Sequence, residues 1–406
     1  MSKFSWEQII DLKRLRRKLV NDVLPRRLKL AVVASGVINH PRYKRYALEL
    51  ARANSDIDYG RVKAFLDKHD YRNAWSELYY PAIGERVEAL SEIEFHCVIE
   101  YSLNHILYCD KVNGQKDYKS LELDFPSLPT VAFIRKGQLY ASDGKTKVPL
   151  GEAALEALSI DPDRDYIAKP AGLDSGAGRA VTVVPGRDLP GRLQALSRLS
   201  TRLIVQQVFR GHEFFRSLNP TSLNTLRCVT LKDGDRPRLL SAVLRVGRQG
   251  RVTDNFDSGG IAIGVDDRGR LKDRAVDNIL RAHRQHPDTG LAFAGLQIPH
   301  YQAMIDTCLE AHSRLRNLGV LSWDMALSQA NAPVIVEVNC AYQSINLHQA
   351  ANPGCLLPLS PYDVGWWERM KRVWSRYPTN SDLQEPNVRG SSQGRSWSDS
   401  ALETST

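Results

Sequence analysis

The chain is poor in cysteine, has no long apolar run and carries no C-x-x-C pair. Its six cysteines, at positions 97, 109, 228, 308, 340 and 355, lie far apart with no C-x-x-C spacing. That pattern excludes a disulfide framework and a zinc site, and it points to a reducing cytosol. No stretch reaches the roughly 18 apolar residues that a membrane span requires. No apolar core follows the charges of the opening Met1-Ser2-Lys3-Phe4-Ser5-Trp6-Glu7, so no signal peptide is expected. No Ser/His/Asp or Cys/His arrangement suggests a nucleophilic side chain. What is present is 42% hydrophobic and 25% charged residues over 406 positions, the composition of a soluble globular protein of two or three domains.

The net charge of +9 is local. Residues 1–30 hold nine basic side chains against three acidic ones, a surplus of six. Trp6, Ile9, Ile10, Leu12, Leu15 and Leu19 fall near helical spacing there, so a basic amphipathic helix is expected. Such a helix can lie on an anionic membrane surface, dock on a partner, or pack on its own protein. Aromatics do not interleave the basic run, which argues against nucleic acid as a partner. Residues 31–125 read as mostly helical, with helical spacing at Ala47–Arg52 and at Val87–Ile93. Further helices are expected near 188–200, 271–286 and 299–317. From 378 to 406 the chain is rich in Ser, Thr, Asn and Gly and is expected to be disordered.

The chemistry concentrates near the C-terminal end, in Ser322-Trp323-Asp324-Met325-Ala326 and Val334-Ile335-Val336-Glu337-Val338-Asn339. The second run is apolar and β-branched, so it reads as a strand, and Glu337 and Asn339 project from one face of it. With Gln329–Pro333 as a hairpin turn, Asp324 reaches the same point from the neighbouring strand. Two carboxylates and an amide oxygen make a hard-oxygen set suited to magnesium. Carboxylates within apolar strands are costly unless paired or metal-bound.

A second half lies upstream. Tyr166–Lys169 is a short strand, followed by a loop with Gly172, Ser175, Gly176 and Gly178 and a second strand from Ala180. Glycines let a backbone approach a ligand and offer N–H groups to phosphate, and Lys169 supplies a point charge. The loop lacks a Gly-Lys-Ser/Thr ending and leads into a strand, so it is neither a P-loop nor a dinucleotide fingerprint. Leu203–Val208 is an apolar strand broken by Gln206 and Gln207, read here as a strand edge able to contact an adenine ring. Arg227 and Arg245 sit inside apolar strands, where guanidinium groups require anionic partners. Asp254–Ala262 is a polar, Gly-rich turn entering a strand.

Taken together, these segments resemble the ATP-grasp superfamily, and more narrowly its sugar-transfer-associated group, related to α-L-glutamate ligases. Asn224-Thr225-Leu226-Arg227, Asp254-Asn255-Phe256 with Gly259-Gly260, Trp323-Asp324 and Glu337-Val338-Asn339 carry the resemblance. It implies an α+β fold in which two subdomains, 126–210 and 211–365, clasp ATP behind the helical N-terminal region. Lys169 and the glycine loop would hold the phosphates, and Gln206, Gln207 and Val208 the adenine. Asp324, Glu337 and Asn339 would hold Mg2+. Arg227 and Arg245 would act on an acyl phosphate, with Asn224, Asn255, Gly259 and Gly260 binding substrate. The family's usual Glu pair is here Gln206-Gln207. Its upstream lysine is either Lys136 or Lys145, and Glu213 is the nearest candidate for a ribose contact. The implied activity is ATP-dependent carboxylate–amine ligation in polysaccharide or glycoconjugate chemistry. Kinase-like phosphoryl transfer and a non-catalytic nucleotide-binding scaffold are the alternatives. The expected partners are small or glycan-linked acids and amines. The expected location is cytoplasmic, with the inner membrane face open through the basic helix.

Overall fold

The computed structural model describes residues 39–104, 109, 112, 125–170, 182–199, 202–234 and 236–363. The expected basic helix over 1–30, the glycine loop with Gly172, Ser175, Gly176 and Gly178, and the tail from 378 lie outside the described residues. A helical region comes first: α1 (Asn39–Ala53), α2 (Tyr59–Asp67) and α3 (Tyr71–Ile83). On α3, Tyr71, Ala74, Trp75, Leu78, Tyr79 and Ala82 follow one helical stripe, and all six are buried.

The next helical run, α4, comprises Glu92–Glu94, a π-type turn Phe95–Ile99, and Glu100–Leu103. It starts later than its apolar spacing suggests. Ser91 Oγ accepts the backbone N–H of Glu94 at 3.0 Å, so Ser91 is an N-cap and Val87–Leu90 run outside the helix. Gln349 holds Leu90 in that path, taking its N–H and donating to its carbonyl, each at 2.8 Å.

This region buries acids. Burial pushes the Glu92 carboxyl up to about 7; His96, Asn346 and Arg42 oppose the rise and Asp257 adds to it. The folded state therefore keeps a proton that the unfolded chain has released, and stability falls as pH rises from about 4.5 to about 7. Glu92→Gln is expected to raise stability at pH 8 by up to about 3 kcal/mol and to change little at pH 4.5. Urea unfolding at the two pH values measures this. An equal gain at both would show that the proton on Glu92 is not responsible.

A six-stranded antiparallel sheet follows, in the order β3-β2-β1-β6-β4-β5. Its strands are β1 (Thr130–Arg135), β2 (Gln138–Ala141), β3 (Lys147–Val148), β4 (Asp165–Pro170), β5 (Thr182–Pro185) and β6 (Arg202–Gln207). One face packs Ala132, Ile134, Leu139, Leu203 and Val205 against Leu189 and Leu193 of α5 (Leu189–Leu199), the helix expected near 188–200. Register places Phe133, Ile204, Gln206 and Lys169 on the opposite face. β6 is an interior strand between β1 and β4, not the edge expected from its two glutamines.

The second sheet has seven strands, in the order β11-β10-β9-β8-β7-β12-β13. They are β7 (Thr225–Leu231), β8 (Arg238–Val246), β9 (Ile261–Val265), β10 (Leu271–Asp277), β11 (Ala282–His283), β12 (Val320–Leu327) and β13 (Pro333–Asn339). The helix expected over 271–286 is absent, and β10 and β11 occupy that stretch. A register shift puts Leu271 opposite Val265 and Ala275 opposite Ile263. Four residues on β10 thus span two on β9, which leaves buried positions at a helix-like spacing of four.

Leu226, Cys228, Leu244, Trp323 and Met325 form the apolar face of this sheet. The helix Tyr301–Arg314 covers it with Met304, Ile305, Cys308 and Ala311, as expected for 299–317. The alternate residues face the other way and build the site. Among the described residues no helix is long and apolar enough to cross a membrane.

Candidate active site

On the second face of the seven-stranded sheet, register sets the charged side chains opposite one another. Arg227 pairs with Asp324, Asp324 with Glu337, Thr225 with Arg245, and Ser322 with Asn339. A bulge on β13 makes this possible. Met325 faces Ile335 while Asp324 faces Glu337, so Val336 is the extra residue. The bulge lets Ile335 and Val338 both enter the core while Glu337 and Asn339 keep to the other side.

Arg227 Nη1 donates to Asp324 Oδ1 at 3.0 Å and to Oδ2 at 3.3 Å. Arg245 Nη2 lies 3.1 Å from Asp324 Oδ2 and 3.3 Å from Asp254 Oδ1. Thr225 closes the network. Its N–H and hydroxyl donate to Asp254 Oδ2 at 2.7 and 2.5 Å, and its Oγ1 accepts from Arg245 Nη2 at 2.8 Å. Burial disfavours the charged Arg245 guanidinium, but Asp254, Asp324 and Glu337 outweigh it and raise its pKa. Two guanidinium groups thus share a face with three carboxylates, which leaves that face one negative charge in excess.

The metal-ligand expectation is tested by what these donors offer. Among the described residues no three His, Cys, Asp or Glu side chains form a metal-binding group. The expected set instead has two carboxylates on opposed positions and an amide two residues along. The Asn339 amide nitrogen is buried without a hydrogen-bond partner. Amide nitrogen and oxygen exchange places by a half-turn, so the same position can present an oxygen. Asp324 and Glu337 carboxylates and Asn339 therefore fit a hard divalent cation such as Mg2+.

Residues 187–361 match the family model for sugar-transfer associated ATP-grasp proteins. Over those residues the chain resembles the ATP-grasp superfamily. Comparison with curated proteins found no match. Among solved structures, this chain is similar to the ATP-grasp ligase PsnB in complex with a minimal precursor, at 13% identity and TM-score 0.35, over 64% of this chain and 62% of that one. It is similar to D-alanyl-alanine synthetase A from Vibrio cholerae, at 13% identity and TM-score 0.35, over 67% and 65%. It is also similar to the VanG D-Ala:D-Ser ligase from Enterococcus faecalis, at 13% identity and TM-score 0.38, over 64% and 62%. In each case the aligned part spans less than two thirds of the solved chain.

The remaining expected site residues divide. Lys169 is half-buried on β4, opposite Ile204 and on the face that carries Gln206. Gln206 turns inward, and its amide donates to Leu128 O at 3.5 Å and Thr130 Oγ1 at 3.3 Å. The Val208 N–H donates to Asp165 O at 2.8 Å, and Gln207, opposite Tyr166, is half-buried. Lys136 is an exposed residue of the β1–β2 turn at φ +50°, and Lys145 is exposed beyond β2. Neither stands on a strand beside Lys169. Glu213 opens a short helix at the surface.

Asn224, expected to contact substrate, is bonded within its own frame. Its amide nitrogen donates to Phe215 O and Asn219 O, both at 2.7 Å. Its oxygen accepts from Ser222 Oγ at 2.5 Å and Gly247 N at 3.1 Å. All four hydrogen-bonding positions of the side chain are spent on its own frame. Asn255 Oδ1 accepts the Asp257 N–H at 2.9 Å and shapes the loop. Gly259 stands at φ +104° with open space where a Cβ would go. At Gly260 a Cβ would lie 2.6 Å from Asp254 O, so that glycine is required by the loop itself.

Two residues escaped the sequence reading. Asp254, part of the resemblance but given no site role, is the second anion on Arg245. His348, on the helix Asn346–Ala351, is fully buried with Nδ1 2.9 Å from Ser241 Oγ. Burial, then Arg227 and Arg245, push its pKa well below the usual histidine value, so the ring is neutral. His348 Nε2 and Arg227 Nε are both buried without a hydrogen-bond partner. No local motif marks His348; only the packing of its helix across β8 brings it to the arginines.

Proposed function

We propose that this protein is an ATP-dependent carboxylate–amine ligase that works through an acyl phosphate, with substrates in polysaccharide or glycoconjugate chemistry. The observation that carries the reading is the buried face on which Arg227 and Arg245 meet Asp324 and Asp254 beside Glu337 and Asn339. The family description supplies the link to sugar transfer.

In this reaction a carboxylate oxygen attacks the γ-phosphorus of ATP and ADP leaves. An amine nitrogen then attacks the acyl carbon, phosphate leaves, and the nitrogen gives up a proton. Both steps gather negative charge. Arg227 and Arg245 offer fixed positive charge, already oriented by Asp324, Asp254 and Thr225, so little reorganisation is needed as that charge develops. Lys169 adds a cation from the six-stranded sheet. Asp324, Glu337 and Asn339 would hold magnesium, which would supply charge neutralisation at the phosphates. No nucleophilic side chain is required.

The test is incubation of the full chain with ATP, magnesium, a panel of carboxylic acids and hydroxylamine. Acyl hydroxamate formed with stoichiometric ADP is the expected result. ADP release with a phosphorylated product and no hydroxamate would favour phosphoryl transfer to a hydroxyl. ATP binding without turnover across the panel would favour a scaffold.

A further inference from the structure

An asparagine ligates a hard cation through its oxygen and not its nitrogen, so the side chain of Asn339 has one productive orientation and one unproductive one. Its nitrogen is buried without a hydrogen-bond partner. No bond to that nitrogen therefore holds the amide as it stands.

Ser322 faces Asn339 across the β12–β13 pair. Both side chains lie on the face that carries Asp324 and Glu337, and opposed Cβ atoms on one face are about 4.5–5.5 Å apart. What Ser322 offers across that gap is set from further away. The Tyr342 and Gln343 backbone N–H groups donate to Oε2 and Oε1 of buried Glu100, at 3.0 and 3.2 Å. A backbone N–H can only donate, so both Glu100 oxygens act as acceptors. The Gln343 side-chain nitrogen donates to Glu100 Oε1 and to Val320 O, each at 3.2 Å. A backbone carbonyl can only accept, so the Gln343 amide is fixed with its nitrogen on these two groups and its oxygen toward Ser322. Ser322 Oγ donates to that oxygen at 2.6 Å. The one hydroxyl hydrogen is thereby used, and Ser322 has lone pairs left to offer Asn339.

We propose that Glu100, Gln343 and Ser322 pass this polarity on to Asn339, so that the Asn339 amide nitrogen turns to Ser322 Oγ and its oxygen is presented to the metal. Ser322 is the positioning residue, and Glu100 is where the polarity originates. Glu100 stands on α4, upstream of the family-matched residues 187–361. The helical region thus serves the metal site through hydrogen bonds without supplying a ligand. Groups that orient a metal ligand are worth about 10–100-fold in metal affinity. The inference rests on the reading of Asp324, Glu337 and Asn339 as a metal seat and adds what orients one of the three.

Mn2+ titration of the full chain without nucleotide, followed by electron paramagnetic resonance, tests it as a double-mutant cycle. Ser322→Ala should raise the Mn2+ dissociation constant about tenfold. Ser322→Thr keeps the hydroxyl and should bind as the wild type does. Asn339→Asp presents an oxygen whichever way it turns, so adding Ser322→Ala to it should change nothing. A purely structural role for Ser322 would weaken Mn2+ binding in both backgrounds alike. Gln343→Met, which takes the acceptor away from Ser322, repeats the cycle if Ser322→Ala does not fold. Unchanged affinity in Ser322→Ala, or an equal loss in both backgrounds, would overturn the relay. A wild type that binds no Mn2+ would overturn the metal assignment and the relay together. Mn2+ binding that Glu337→Ala abolishes keeps the metal assignment whatever the cycle shows, so the two failures are distinct.

Discussion

Asp324→Ala is expected to unfold the chain at markedly lower urea concentration, with a loss of about 3–5 kcal/mol, as well as to stop turnover. Asp324 is 3% exposed and takes bonds from two guanidinium groups. Its removal is unequal for the two. Arg245 keeps Asp254 and Thr225. Arg227 loses its only ion-pair partner among the described residues and stays 6% exposed. A cation left buried without an anion is the costly outcome, more costly than the lost attraction. Asp324→Asn, which keeps an acceptor oxygen, should lose less. Asp324→Leu combined with Arg227→Met should recover a good part of the loss, because neither charge is then stranded. A loss under about 1 kcal/mol for Asp324→Ala, within the range of exposed pairs, would show that the network is not sealed from solvent.

The features read correctly from sequence are those fixed by local periodicity. Glu337 and Asn339 share a face because a strand alternates, and Asp324 meets them because five residues suffice to turn the chain, Ser328–Ala332 rather than the expected Gln329–Pro333. Arg227 and Arg245 follow the same logic, as apolar strands with a cation in the middle. The features that were missed depend on contacts far apart in the chain. The bulge in β10 disguised a strand as a helix. Ser91 capped a helix later than the apolar spacing implied. The polar Gln206 suggests an edge for β6, yet β1 and β4 enclose it and Leu128 and Thr130 satisfy its amide. Asn224 sits in a motif that carries the family resemblance, and the resemblance suggested a ligand role. In the structure its four bonds go to Phe215, Asn219, Ser222 and Gly247, a contact set that no local pattern announces. His348 gave no signal because a single histidine on a short helix is uninformative until the helix is placed.

Glu337→Ala separates chemistry from stability more cleanly than any change at Asp324. Glu337 is half-buried at the end of a hairpin, and Arg245 retains Asp254 and Asp324 when it is removed. Stability should therefore move by about 0.5 kcal/mol or less. ATP-dependent turnover should fall by about 10²–10³-fold, the scale of one lost electrostatic contact to a developing charge. Mn2+ affinity, measured by electron paramagnetic resonance on the full chain without nucleotide, should fall in parallel. Asn339→Asp is the matched comparison: it offers an oxygen whichever way the side chain turns, so it should retain or tighten Mn2+ while Glu337→Ala loses it. Turnover lost with Mn2+ binding intact would make Glu337 a substrate or proton-handling group. Unchanged turnover and unchanged Mn2+ affinity would remove the metal assignment and leave the opposed Asp324–Glu337 pair as a purely electrostatic partner of the two arginines.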